Sequence, residues 1–267
     1  MIGRVHRAAE VDGFRLAFDR AGEDPAVLLL HGWPGDRTDY RDVVPLVSAA
    51  AQARSIAGLI TELGLGRAVI AGYDIGSRIA QAVARDRPDL VSALVIAPPL
   101  PGIGERILAP RAQREFWYQS FHQLALCTEL IDGRPDAVGA YLRHFWTHWS
   151  GPDFELTDDH LRHLVSVYGP PGAFTASIAW YRAGAGSVAA SLAERAPRPE
   201  DRIAAPATVL WPEHDPLFPR DWSDRLGEFF AEARLVYLDG VGHFSPREAA
   251  GDFAAAVIAA AARSGPR

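Results

Sequence analysis

The chain has 267 residues, 48 % of them hydrophobic, and its 27 Lys and Arg against 33 Asp and Glu give a formal net charge of −6. This length suits one sizeable α/β domain with room for an inserted subdomain. The acidic balance does not favour nucleic acid or an anionic membrane surface as a partner. The single cysteine, Cys127, excludes an internal disulfide and favours a cytoplasmic location. The N-terminal stretch predicts no signal peptide, and no apolar run has transmembrane length.

In chain order, the first hundred residues alternate between strand and helix patterns. Strands are predicted at 4–10, 14–20, 26–32, 67–72 and 91–99. Helices are predicted at 51–65 and over "SRIAQAVARDRPDL", which Pro88 closes. The continuous apolar strands separated by helices predict a parallel sheet with right-handed crossovers.

Residues 101–195 differ in composition and pattern, with many aromatic residues, several histidines and helix-like runs without strand patterning. Strands return at 207–215 and in "ARLVYLDGVGH", and a last helix is predicted at 246–263. The sequence therefore predicts an α/β fold whose sheet core, residues 1–100 and 196–267, is split by a helical cap at 101–195.

The stretch around residues 48–53 does not fit a doubly wound sheet. After "HGWPGDRTDYRDVVPLVSAA" the chain passes directly into the helix of 51–65, where such a sheet needs another strand and a loop. We interpret this as a missing segment, and a Cα–Cα step far above ~3.8 Å there would reveal it.

The segment "AGYDIGSRIAQ" (71–81) contains a G-x-D-x-G pattern formed by Gly72, Asp74 and Gly76. A glycine-flanked turn from strand to helix pushes its middle residue above the sheet, and that residue is usually serine. A carboxylate there makes an ester by displacement at an sp³ carbon, whereas it is poorly suited to cleaving amides or esters. The alternative is that Asp74 caps the following helix.

Two further motifs surround this elbow. "LLLHGWPG" (28–35) ends a buried strand, and its Trp33 N–H, together with the Ile75 N–H, is predicted to form an oxyanion hole. The Trp33–Pro34 bond is a candidate for the cis conformation. In "DGVGHFSPRE", His243 lies in a loop after a strand and is predicted to be the general base.

The acid that orients the histidine is predicted to be Asp215 in "LWPEHDPLFP". It follows a strand and precedes Pro216, which holds it at the carboxyl edge of the sheet. Glu213 is the first alternative and Asp239 a weaker one.

Together these motifs resemble the α/β-hydrolase fold, and within it the branch with an aspartate nucleophile, which includes epoxide hydrolases and dehalogenases. "REFWYQSFHQL" and "SIAWYRAG" resemble the cap segments in which epoxide hydrolases carry ring-opening tyrosines, and the matching positions are Tyr118 and Tyr181. Packing of amphipathic cap helices is the alternative role for these tyrosines. The resemblance implies a bacterial-type epoxide hydrolase.

Haloacetate dehalogenases also resemble this chain at the elbow, but they carry Arg directly after the aspartate and again four positions after it. The first place is Ile75 here and the second is Arg78, so half of that carboxylate clamp is absent. We expect Arg78 to pair with an acidic neighbour on its own helix. A haloalkane or haloacetate dehalogenase with the same triad remains the alternative function, and a non-catalytic binding protein is a weaker one.

The expected substrate is a small hydrophobic epoxide. We expect the pocket to be lined by the aromatic residues Trp117, Phe121, Trp180, Phe218 and Phe244. The sequence suggests no metal or organic cofactor, because it holds no Cys/His cluster or nucleotide fingerprint. No nucleic-acid or membrane partner is expected, and the protein is expected to be a monomer or a homodimer.

Overall fold

Seven strands form two sheets in the described part of this computed structural model, which covers residues 6–11, 14–18, 26–36, 49–182 and 186–263. An antiparallel pair consists of β1 (His6–Val11) and β2 (Phe14–Phe18). The parallel sheet consists, in spatial order, of β3 (Val27–Leu30), β4 (Ala68–Gly72), β5 (Val91–Ile96), β6 (Ala207–Pro212) and β7 (Ala233–Leu238). The α/β fold with a parallel sheet is thus confirmed. Strands β4 and β6 are buried along their whole length, and β5 at all but one position, which explains their continuous apolar runs.

The α-helices of the described residues fall into three groups along the chain. Those within the first half of the sheet are α1 (Ala49–Glu62) and α2 (Ile75–Asp86). Those between β5 and β6 are α3 (Pro110–Glu115), α4 (Trp117–Phe121), α5 (Ala125–Ile131), α6 (Pro135–His148), α7 (Asp158–Tyr168), α8 (Ala173–Ser177), α9 (Ala179–Arg182) and α10 (Ser187–Ala193). Those after β7 are α11 (Ser245–Glu248) and α12 (Ala250–Arg263). Short 3₁₀ helices lie at Pro88–Leu90, Gly104–Leu108, Pro199–Asp201 and Arg220–Glu228.

The segment between β5 and β6 holds only helices in its described residues, and a large aromatic cluster forms its interior. Its side chains Phe145, Trp146 and Trp149 are at most 1 % exposed. The exact bounds of a cap at 101–195 remain a prediction. Trp146 Nε1 donates to the carbonyl of Pro34 at 3.3 Å, so the helical segment is anchored directly on the loop that follows β3.

The parallel register aligns the carboxyl ends of the strands. Leu30 of β3 pairs with Gly72 of β4, and Gly72 in turn pairs with Ile96 of β5. The loops that follow β3, β4, β6 and β7 therefore open at one edge, which is where sites form in sheets of this kind.

Of the stretch 48–53 where a missing segment is expected, 49–53 belong to α1, whereas 48 and the residues 37–47 before it lie outside the described residues, so this interpretation stays a prediction. Within the described ranges, β3 pairs only with β4, and the β1–β2 pair forms a sheet of its own. None of the helices described has the length and apolarity needed to cross a membrane.

Candidate active site

Asp74 stands in a strained turn between β4 and α2. Its φ of 48° and ψ of −124° make it the one non-glycine residue with positive φ among those described. A Cβ on Gly76 would lie 2.0 Å from the carbonyl oxygen of Leu30, and one on Gly72 would lie 2.6 Å from the carbonyl carbon of Gly76. Gly72 is therefore required for β4 to lie this close to α2, and Gly76 for α2 to lie this close to the end of β3. Backbone strain of this kind concentrates at functional sites.

Asp74 occupies the N-cap position of α2, but the interpretation that its side chain caps the helix is wrong, because that side chain makes no capping hydrogen bond. Its Oδ2 instead accepts a hydrogen bond from the backbone N–H of Trp33 at 2.9 Å. The carboxylate thus stands at the amino end of α2, where the helix dipole favours negative charge, while remaining available to a ligand.

The two predicted oxyanion-hole donors flank this carboxylate. The loop that carries Trp33 packs directly against Asp74. A Cβ on Gly32, the residue before Trp33, would lie 2.4 Å from the Cβ of Asp74. The Trp33–Pro34 peptide bond is cis, as the sequence suggested. Ile75 is the first residue of α2, and its N–H donates no hydrogen bond to any described residue. Both N–H groups are therefore located where they could serve a negative oxygen formed on Asp74.

His243 and Asp215 complete a buried triad with Asp74. The Nδ1 of His243 lies 2.8 Å from Asp215 Oδ2, and its Nε2 lies 4.0 Å from Asp74 Oδ2. Asp215 Oδ1 accepts the Leu217 N–H at 2.9 Å, which fixes the carboxylate in its turn. His243 Nε2 is buried and has no hydrogen-bond partner, so it is directed at the space in front of Asp74.

The alternative acids lie elsewhere. Glu213 is exposed and accepts the N–H of Gly240, and Asp239 is exposed and pairs with Arg220. Asp215 is therefore the carboxylate that the fold delivers to His243.

The two flanking carboxylates control the charge of His243. Burial by itself lowers the pKa of this imidazole, but Asp215 and Asp74 outweigh burial and raise the pKa to about 10. Neutralising either carboxylate would allow the pKa to fall. The charge of His243 is therefore coupled to the chemical state of Asp74.

Tyr118 on α4 and Tyr181 on α9 meet on the cap side of the site. Each is 3 % exposed, and their ring centroids lie 5.5 Å apart. The ring of Trp33 contacts both, at 5.9 Å from Tyr118 and 6.1 Å from Tyr181. Burial raises the pKa of both phenols, and the charge of Asp74 raises each further. Both phenols therefore stay protonated within the electrostatic reach of Asp74, as neutral O–H donors.

The family model for the alpha/beta hydrolase fold matches residues 46–250. The chain belongs to the α/β-hydrolase fold family. The soluble epoxide hydrolase of Corynebacterium sp. (strain C12) is 24 % identical, with 91 % of this chain and 92 % of that protein covered. The 2-hydroxy-6-oxo-6-phenylhexa-2,4-dienoate hydrolase of Comamonas testosteroni is 23 % identical, with 91 % and 90 % covered. The crystal structure of Epoxide Hydrolase A from Mycobacterium thermoresistibile has a TM-score of 0.73 at 24 % identity, over 96 % of this chain and 98 % of that one.

The predicted pocket aromatics of this α/β-hydrolase do not all reach the triad. Phe218 and Phe244 do, with ring centroids 6.4 Å and 5.4 Å from that of His243. Trp117 does not: it is 41 % exposed on the outer side of α4, because a helix turns by about 100° per residue and Tyr118 takes the inward direction. Phe121 is partly buried against Trp117, with ring centroids 5.9 Å apart. Trp180 lines a separate cavity.

Trp149, at the end of α6, is a site residue that the sequence analysis missed. Its carbonyl accepts the backbone N–H of His243 at 2.7 Å, and its ring lies 5.2 Å from the rings of both His243 and Tyr118. It therefore joins the histidine loop to the tyrosine side of the hydrolase. The aromatic richness of the cap was visible in the sequence, but this pairing depends on tertiary structure.

Glu248 is a second missed residue. Its carboxylate accepts the backbone N–H groups of Gly151 at 2.7 Å, Gly242 at 2.8 Å and Phe244 at 3.0 Å. It thereby holds both neighbours of His243 and ties them to the cap loop. Burial raises the pKa of Glu248, whereas these donors and His243 oppose the rise.

Gln119 supports Tyr118 in a similar way. Its Nε2 donates to the Tyr118 hydroxyl at 3.1 Å, and its Oε1 accepts the Val188 N–H at 3.3 Å. Because the phenol oxygen already accepts from the amide, its own proton is left to point toward another acceptor.

Proposed function

We propose that this α/β-hydrolase opens epoxides to vicinal diols through a covalent ester on Asp74. The observation that supports this most is the pairing of a carboxylate in the nucleophile turn with two buried phenols, Tyr118 and Tyr181, on the cap side. A serine hydrolase has no need of phenols that can donate to an alkoxide, whereas an epoxide releases a poor leaving group that does need them.

In the first step, a carboxylate oxygen of Asp74 attacks one ring carbon from the side opposite the epoxide oxygen. The bond between that carbon and the oxygen breaks, and negative charge develops on the oxygen. Tyr118 and Tyr181 donate hydrogen bonds to it, and one of them transfers its proton. The product of this step is a hydroxyalkyl ester of Asp74.

Ester formation also prepares the base. In the free enzyme, the negative charge of Asp74 helps to keep the pKa of His243 near 10. Ester formation removes this charge. With that charge gone the pKa of His243 falls, and the imidazolium gives up its proton, which restores the phenol that protonated the epoxide oxygen. The neutral Nε2 can then take a proton from water.

The resulting hydroxide attacks the ester carbonyl, and the N–H groups of Trp33 and Ile75 stabilise the tetrahedral oxyanion. Collapse of this intermediate releases the diol and regenerates Asp74 with one oxygen derived from water. Asp215 holds the imidazole in the required tautomer throughout.

A single turnover in heavy-oxygen water tests this sequence of events. The label should enter Asp74, and the first diol released should carry none. Label found directly in that first diol would mean that water, and not Asp74, attacks the epoxide.

A substrate screen with the same enzyme preparation distinguishes the epoxide hydrolase from the dehalogenase alternative. Styrene oxide, short aliphatic epoxides and haloacetates should be offered side by side, with diol and halide both measured. We expect diol from an epoxide and little halide from haloacetate, since Ile75 stands in the place of one clamp arginine and the cavity that Arg78 lines does not include Asp74. Halide release without diol formation would favour the dehalogenase.

A further inference from the structure

A second cavity of about 410 Å³ lies next to α2 and α10, outside the proposed catalytic chemistry. Its walls include residues of both helices and of the loops around β6, but none of Asp74, Tyr118, Tyr181 or His243. Its volume lies in the range of sites that bind small molecules.

The guanidinium of Arg78 is the unusual feature of this cavity. Its Nε is buried and has no hydrogen-bond partner, and no carboxylate of the described residues forms an ion pair with it. Burial lowers the pKa of Arg78, and the more distant charges of Glu194 and Asp74 oppose this only in part. The pairing with an acidic neighbour on α2 that the sequence suggested is therefore wrong, because the nearest acidic influence comes from another element. Arg78 as a whole is only partly buried, but its Nε has lost contact with water without gaining a partner, which is unfavourable unless a ligand supplies an acceptor.

The charged residues that line the cavity indicate which ligand charge it would favour. Arg78, Arg85 and Arg195 line the cavity together with two acids, Glu194 and Asp201, which leaves an excess of one positive charge. Both acids are already engaged. Glu194 accepts the Gly102 N–H at 2.6 Å, and Asp201 accepts from Arg198 at 2.6 Å. One negative charge on a ligand would balance the cavity, whereas a dianion would be repelled by Glu194.

The remaining walls are apolar. Trp180, Ile203 and Phe229 each line the cavity and are at most 7 % exposed. They offer a surface for the hydrophobic body of a ligand whose charged end lies at Arg78.

We propose that this cavity is a binding site for a small organic monocarboxylate with an aryl or branched apolar body. The planar fork of Arg78 holds the carboxylate, and Trp180 and Phe229 cover the body. This ligand is distinct from the substrate, because the cavity does not include the nucleophile. The inference does not depend on the proposed function.

Calorimetric titration of the intact protein tests it, with phenylacetate as the probe and 2-phenylacetamide as its neutral counterpart. Phenylacetate should bind at least about tenfold more tightly than the amide, the scale of one charge-assisted contact. Arg78→Met should lose this preference. Arg87→Gln is the matched control, since it removes an exposed arginine just beyond the same helix that pairs with Asp89 at the surface. It should bind phenylacetate like the wild type.

Arg78→Met is expected to fold, because Arg78 is only partly buried and makes no ion pair with a described residue, so an unbranched apolar side chain can take its place without leaving a partner unpaired. Ala190→Leu provides a second variant that fills the cavity without altering any arginine, and it should also abolish binding. Equal affinity for acid and amide would overturn the proposal. Unchanged binding to both variants, or full displacement by an equal concentration of chloride, would do so too. The titration needs no turnover, so its outcome is independent of whether epoxides are hydrolysed.

Discussion

The sheet edge and the cap contribute to the candidate site in different ways. At the sheet edge, Asp74, Asp215 and His243 each follow a strand, and each is set by a local turn that the sequence makes visible. In the cap, Tyr118 and Tyr181 sit on short helices and are positioned by aromatic neighbours and by Gln119. In the proposed mechanism, the residues at the sheet edge carry the chemistry through a carboxylate ester, and those of the cap select the leaving group. The reaction can therefore be tested at one region and the substrate class at the other.

The largest effect is expected at the sheet edge. Asp74→Ala removes the nucleophile, and epoxide turnover should fall by about 10⁴-fold or more. Asp239→Ala is the matched control, because that carboxylate is exposed and its ion pair within the described part of the chain is with the surface residue Arg220. Steady-state diol formation by both variants measures this. Substantial turnover by Asp74→Ala would contradict the assignment of Asp74 as the nucleophile.

The cap should show an intermediate effect. Tyr181→Phe and Tyr118→Phe should each slow ring opening by about 10²-fold, the scale of one positioned donor. Tyr141→Phe is the control, since its hydroxyl contacts His122 Nε2 at 2.9 Å and it is only partly buried. Rapid-mixing kinetics of ester formation on Asp74 measure the rate of ring opening in each variant. An unchanged rate in both site variants would reduce these tyrosines to packing residues.

Glu248 connects the two regions, and its loss should act on one step only. Glu248→Gln places an amide NH₂ against backbone N–H donors and should misplace His243, slowing ester hydrolysis by about tenfold or more. Formation of the Asp74 ester should keep its rate, which separates positioning from general damage. Glu213→Gln, which alters an exposed acid that holds a single N–H, is the control. Equal slowing of both steps would argue against a role through His243.

The last expected effect concerns the pH dependence of stability and not the rate of either step. Because the pKa of His243 is raised to about 10 in the folded protein from an ordinary value of 6.5, its stabilising contribution is complete below pH 6.5 and is lost as the pH rises toward 10. Urea unfolding of the wild type and of His243→Gln should therefore show a difference that narrows across this range. A difference that stays constant from pH 6.5 to 10 would contradict the coupling to Asp215 and Asp74.

The sheet edge and the cap also differ in how well the sequence predicts them. The apolar strands and the glycine-flanked elbow depend on residues close in the chain, so the parallel sheet and the Asp74 turn were both visible. The order of Asp215 and His243 along the chain was visible for the same reason.

The cap could be predicted only in part. Trp117 was expected to line the pocket as one of the aromatic residues of the cap, yet its place on α4 directs it outward, where it is 41 % exposed. Glu248 resembles any acid in the first turn of a helix, and only tertiary structure shows that it holds three backbone donors. Arg78 was expected to find an acid on its own helix, whereas the fold buries its Nε without a partner.

The most direct test of the account is the mass of His243→Gln after exposure to an epoxide such as styrene oxide. The variant retains Asp74 and both tyrosines but lacks the base, so it should accumulate the ester. The account predicts a mass increase of one epoxide per chain, located by peptide mapping on the segment that contains Asp74. An unmodified chain, or an adduct that also forms on the variant lacking Asp74, would contradict it.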